Sequence, residues 1–169
     1  MYYYNIETLA YHRGIRYDTG EWVYGYLLKR KDKVYIATQD NMDYMVVQNN
    51  IARLKLVEVI PDTICAYSQV NDIDDIKIYN GDILETVAQE DTPFCKNTIL
   101  FVTFSEGTFN AIGDFSIDTY DFRYCRVIGN FYDDPDLIRT HHIHPPIPQA
   151  HIVYGHDTRF SNETYILKN

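Results

Sequence analysis

Long apolar runs are missing from this chain of 169 residues. No stretch approaches the roughly 20 residues that a membrane-spanning helix requires, so no membrane contact is expected. The opening "MYYYNIETLAYHRG" lacks the basic start and apolar core of a secretory signal. The protein is therefore expected to stay in the compartment where it is made. Cysteine is scarce and odd in number: Cys65, Cys95 and Cys125, with no C-x-x-C spacing. That pattern fits neither a disulfide framework nor a zinc site. The expectation is three reduced thiols, at least two of them in apolar strands, where free cysteine behaves as a small hydrophobe. Basic charge is short as well, with 15 Lys and Arg against 24 Asp and Glu, a net charge of −9. The basic run "KRKDK" at Lys29 to Lys33 reads as a hairpin tip. Direct binding to duplex nucleic acid, which asks for a basic patch, is not expected. Phosphate-binding glycine loops, H-E-x-x-H and nucleophile-elbow motifs are also missing. The reading is of a protein that is not an enzyme and uses no cofactor.

Tyrosine is what the chain has in surplus: 16 Tyr and 8 Phe against one Trp. Aromatic and β-branched residues favour strands. Tyrosine beyond the needs of a core also suits contact surfaces, since the ring gives rigid area and the hydroxyl finds a polar partner. Turn signals separate short apolar stretches throughout. "YDTGEW" places a turn at Asp18-Thr19-Gly20, then "WVYGYLLK" runs into the charged tip and "VYIAT" returns. In "IARLKLVEVI" apolar Leu54, Leu56 and Val59 alternate with Lys55 and Glu58, which is mostly strand spacing. The run Ile99 to Phe104, the turn Ser105-Glu106-Gly107-Thr108 and the resumption at Phe109 form the clearest hairpin. Cys125 to Ile128 is another short strand, broken at Gly129-Asn130, with Asp133-Asp134-Pro135 opening a turn or a short helix. Helical periodicity is nowhere sustained. The fold expected is mainly β, with short antiparallel strands forming a small barrel-like domain with few helices.

Beyond Ile138 the composition changes. "THHIHPPIPQAHIVYGHDTRFSNETYILKN" carries Pro145, Pro146, Pro148 and five of the six histidines, which favours an extended arm. The domain reading is residues 1–138 as the β domain and residues 139–169 as a His- and Pro-rich C-terminal extension.

Three segments occur in the order found in one family: "RGIRYDTGEWVYGYL", "VIPDTICAYSQVNDIDDIKIYNGDIL" and "VIGNFYDDPDLI". On these the sequence resembles the YopX-like family of phage and prophage proteins over about residues 13–138. The resemblance implies a β-rich, partly barrel-like and non-enzymatic protein of the bacterial host cytoplasm. In that family the loop before Ile-Tyr-x-Gly-Asp usually holds an Asn-Gly turn, where this chain has Asp74 and Asp75. Aspartate tolerates left-handed backbone better than most residues, so the turn survives. Asp72, Asp74 and Asp75 then read as turn chemistry on a solvated loop, and Gly81-Asp82 as the corner into the strand Ile83 to Val87. Trp22, Val23, Tyr24, Ile83 and Val127 fall in strand-like parts of these segments and are expected to be buried.

Two metal readings compete with that account. Asp72, Asp74, Asp75 and Asp82 supply oxygen ligands, but D-x-D-D lacks the glycine and distal glutamate of a calcium loop. His142 and His144 project to one side of an extended segment, and His151 or His156 offers a third ligand. The function expected is non-catalytic protein–protein binding by an accessory protein, with a host factor or a second copy as partner. Asp72, Asp74, Asp75 and Tyr79 are the candidate contact residues, on an acidic, tyrosine-rich face. A counter-defence inhibitor blocking the basic nucleic-acid channel of a host nuclease or sensor is the alternative. A small metal-dependent enzyme using the histidine tail is a further one.

Overall fold

The structure, a computed structural model, describes residues 12–38 and 55–141. Among these residues eleven strands form two antiparallel sheets, and one short α-helix follows the last strand. The protein is mainly β, as the alternating apolar pattern requires.

The first sheet has six strands: β1 (His12–Ile15), β2 (Trp22–Arg30), β3 (Lys33–Thr38), β4 (Leu56–Val59), β5 (Cys65–Asn71) and β6 (Lys77–Tyr79). Their order is β4-β3-β2-β1-β5-β6. It curls strongly. β4 comes round to the chain just beyond β1, where Arg16 bridges Val59 and the Ile60 N–H donates to the Ile15 carbonyl at 2.9 Å. Val34, Ile36 and Val59 fill the inside of this curl, with Val23, Leu27 and Ile64 against them. Gly25 makes the curl possible. Its φ is +155°, and a Cβ there would lie 1.9 Å from the Ala37 carbonyl oxygen on the paired strand.

The second sheet holds β7 (Asp82–Thr86), β8 (Ile99–Ser105), β9 (Thr108–Gly113), β10 (Ser116–Asp118) and β11 (Cys125–Asn130), in the order β10-β9-β8-β7-β11. The β8–β9 hairpin turns at Glu106 and Gly107, both at positive φ (53° and 82°), a type I′ geometry that matches strand twist and favours glycine. Leu84, Leu100, Val102, Ala111 and Ile117 build its core, closed by Ile78 from β6 and Phe122 from a single 3-10 turn. A bulge between Val127 and Gly129 bends β11, so the strand continues through the Gly129-Asn130 step expected to break it. Pro135 opens α1 (Pro135–Thr140), where its missing N–H costs no bond. The expected 138/139 domain boundary therefore falls inside this helix.

The two sheets meet at Gly81. Its N–H donates to Val102 at 2.9 Å and its carbonyl accepts from Phe131 at 2.8 Å, so the expected corner is a backbone clasp between sheets.

Several expectations about burial need correction. Ile83 is fully buried, whereas Trp22, Val23 and Val127 are half-buried and Tyr24 is 43% exposed. The cause is strand alternation: Val23 and Leu27 face the inside of the curl, which leaves Trp22 and Tyr24 on the opposite face. In β4 the inward phase belongs to Val57 and Val59, with Leu56 44% exposed; Leu54 lies outside the described residues. Pairing of β4 with β3 sets this phase, and apolar residues at both parities left the sequence unable to choose.

Candidate binding cleft

Register places a row of side chains on one face of the first sheet. Arg13 of β1 pairs with Tyr24 of β2 and with Cys65 of β5, while Tyr67 of β5 pairs with Tyr79 of β6. The Arg13 guanidinium sits between two rings, 4.7 Å from the centroid of Trp22 and 4.7 Å from that of Tyr79. Tyr79 lies 6.0 Å from Tyr24 and 5.7 Å from Tyr67. Trp22 meets Tyr132 edge-on at 5.7 Å, and its indole N–H donates to Asp133 Oδ2 at 2.6 Å. An open cleft of about 630 Å³ lies over Arg13, Trp22, Tyr24 and Tyr79 of this row, with Ile76, Lys77 and Val127 among its walls.

Asp82 anchors the row from below. Its side chain has no solvent exposure; Oδ1 accepts from Arg13 Nη2, and Oδ2 accepts from the Tyr79 N–H at 2.8 Å. Burial pushes the Asp82 carboxyl up to about 6, against the opposing effects of Arg13 and the Tyr79 N–H. Burial also works against the Arg13 charge, but Asp82 and Cys65 more than restore it. The Cys65 thiol beside them is pushed up to about 11 by burial.

The fold now has its match. A family model described as YopX protein matches residues 11–139, which span every strand described here. The chain belongs to the YopX family. Its fold is similar to that of the crystal structure of protein EF1440 from Enterococcus faecalis, with a TM-score of 0.52 over 77% of this chain and 98% of that one. At 14% identity that likeness concerns the fold alone. No curated protein matches the chain.

In this YopX family member the four expected contact residues do not share one surface. Asp72 is 6% exposed. Its Oδ1 accepts from the Asp74 and Ile76 N–H groups at 2.9 and 2.8 Å, and its Oδ2 from the Val127 N–H at 2.8 Å. This carboxylate closes its own loop and ties it to β11, which corrects the expectation of a solvated side chain. Asp74 accepts from Arg126 Nε at 2.6 Å, and Asp75 from Asn71 Nδ2 at 2.6 Å. Asp75 takes the left-handed conformation at φ 64°, the backbone role that the resemblance assigns to a glycine. Tyr79 is 3% exposed and stacks on Arg13. The turn reading of the acids holds, while the cleft brings together only Asp75 and Tyr79 of the four. Asp82 points under the cleft and not toward Asp74 or Asp75; among the described residues no group of three His, Cys, Asp or Glu could hold a metal ion. His142, His144, His151 and His156 lie outside the described residues.

Arg13 is the residue that sequence reasoning missed. The available signal was an arginine inside a short strand, "HRGI", whose buried carboxylate partner lies 69 positions away. Among the described residues no helix is long and apolar enough to cross a membrane. Cys65 and Cys125 are buried at the start of β5 and β11, and Cys95 is exposed.

Proposed function

We propose that this YopX family member is a small accessory protein that acts without catalysis, by binding another protein through the aromatic cleft, in the cytoplasm of a bacterial host. The observation that carries this reading is the row Tyr24–Tyr79–Tyr67 beside a cation already neutralised by Asp82 and held between Trp22 and Tyr79, with Tyr24 and Ile76 left 43% and 53% exposed at the rim. Rigid aromatic side chains in a partly desolvated hollow are the residues that dominate interface energies. The ionisable groups at and under the cleft are committed to one another, which suits a recognition surface better than acid–base work. Cys65 stays protonated at neutral pH, with its thiol near 11, and a thiol is a poor nucleophile beside a thiolate. Membership of the YopX family supports the accessory role.

The net charge of −9 favours a second reading, the occlusion of a basic host surface. On that reading exposed carboxylates steer the encounter and the cleft supplies the affinity. The test compares proteins retained from a bacterial host by the wild-type chain and by the double variant Tyr24→Ser, Ile76→Ser. A partner held by the wild type and lost by the variant, with an unchanged circular dichroism spectrum, is the expected result. Equal retention by the two proteins sinks the cleft as the binding site. A salt-dependent association rate with an unchanged dissociation rate marks the steering component.

A further inference from the structure

We propose that the Arg13–Asp82 pair is a proton-operated latch, in which protonation of Asp82 frees the Arg13 guanidinium and rearranges the floor of the cleft between Trp22 and Tyr79. The inference concerns the floor alone and holds whatever occupies the cleft.

The geometry sets two states. Among the described residues Asp82 is the carboxylate that pairs with Arg13 in the latched state, and the buried Arg13 Nε–H meets no hydrogen-bond acceptor there. Removing the negative charge therefore leaves a buried cation whose remaining support is two aromatic faces and the neutral Cys65 thiol. An uncompensated buried charge is strongly unfavourable, and the cleft that Arg13 lines offers it a route to water. Movement of the guanidinium must disturb Trp22 and Tyr79, because it is sandwiched between them.

The surroundings favour protonation at an accessible pH. Asp82 is wholly excluded from water, and its carboxyl lies near 6. The charged and titratable groups around it come from each neighbouring element. Arg13 on β1 lowers its proton affinity, and so does the Tyr79 N–H on β6, while Asp72 on the loop after β5 raises it. Cys65 on β5 is held as a neutral thiol by burial. Asn130, which pairs with Asp82 on β11, is uncharged. His12, adjacent to Arg13, is pushed below its ordinary value by burial and is the group to control for.

Trp22 is the single tryptophan of the chain and touches Arg13, so its fluorescence reads the latch directly. The full-length protein is titrated from pH 8 to 4.5 with excitation beyond tyrosine absorption, and far-ultraviolet circular dichroism confirms that the fold persists. A one-proton change in Trp22 emission with a midpoint near 6 is expected. It should vanish in Asp82→Asn and survive in His12→Gln and in Asp133→Asn, which alters the other partner of the indole. A transition that persists in Asp82→Asn, or vanishes in His12→Gln or Asp133→Asn, overturns the latch. If Asp82→Asn does not fold, the carboxyl carbon of Asp82 is followed by NMR in the wild type. A midpoint near 6 that coincides with the emission change supports the latch, and a carboxyl still ionised at pH 4.5 overturns it.

Discussion

Asp72 and Asp74 stand two positions apart in the sequence and do different physical work. Asp72 accepts three backbone N–H bonds in a buried setting, and a hydrogen bond to a charged group contributes about 1.5–3 kcal/mol net of its exchange with water, a figure that is not additive over a shared acceptor. Asp72→Ala should lower stability by about 3 kcal/mol, measured by urea unfolding. Asp74 forms an exposed pair with Arg126, and its removal should cost less than about 1 kcal/mol. Equal effects from the two substitutions would show that the loop is not tied to β11 through Asp72. The cysteines divide in the same way. Burial pushes Cys65 up to about 11 and Cys125 up to about 12, whereas Cys95 is exposed. A thiol reagent at neutral pH should modify one cysteine rapidly in the native protein and the other two only on unfolding, since reaction needs an accessible thiolate. Rapid labelling of two or three thiols in the native state contradicts this.

β2 shows how one position controls an element. The strand is nine residues long, apolar or aromatic from Trp22 to Leu28 apart from Gly25, and Gly25 lets it follow the curl of the first sheet. Gly25→Ala places a methyl against the Ala37 carbonyl, a backbone atom that cannot rotate away. The expected cost is about 3 kcal/mol or more, at the upper end of overpacking effects. Gly20 also has positive φ but nothing within 4 Å of an added Cβ, so Gly20→Ala should cost only about 1 kcal/mol from backbone strain. Thermal unfolding of the two variants separates steric from conformational cost. A Gly25→Ala protein as stable as Gly20→Ala would mean that β2 and β3 are not so closely paired at Ala37.

For the molecule as a whole, Asp82 links stability to pH. Its folded-state carboxyl lies near 6 against an ordinary value of 3.8, so the folded protein binds this proton more tightly than the unfolded chain does. The stabilisation from that proton is fully present below the ordinary value and is lost as pH rises through about 6. The wild type should therefore gain stability relative to Asp82→Asn as pH is lowered from 7 to 5, in paired denaturant titrations. A relative loss over that window would reverse the sign and show a carboxylate stabilised by Arg13 more than it is penalised by burial. Arg13 joins β1 to β7 across the junction of the two sheets, so this dependence belongs to the assembled fold rather than to either sheet.

The sequence by itself determined the strand content, the Asp18-Thr19-Gly20 and Glu106-Gly107 turns, the helix start at Pro135 and the family. These follow from local rules: alternation, positive φ at Gly, and the missing N–H of proline act over a few residues and need no partner. It also identified Asp72 to Asp75 as turn chemistry, because an aspartate side chain reaches its own neighbouring N–H groups. Tertiary structure alone decided the rest. The inward phase of β4 came from its pairing with β3, and the exposure of Tyr24 from Val23 and Leu27 taking the inside of the curl. The burial of Asp72 was set by Val127, 55 positions away, and the cleft by Arg13 meeting Asp82 at a separation of 69. Contacts at such separations depend on sheet register and on which groups are withdrawn from water together, and neither is written in any short stretch of the chain.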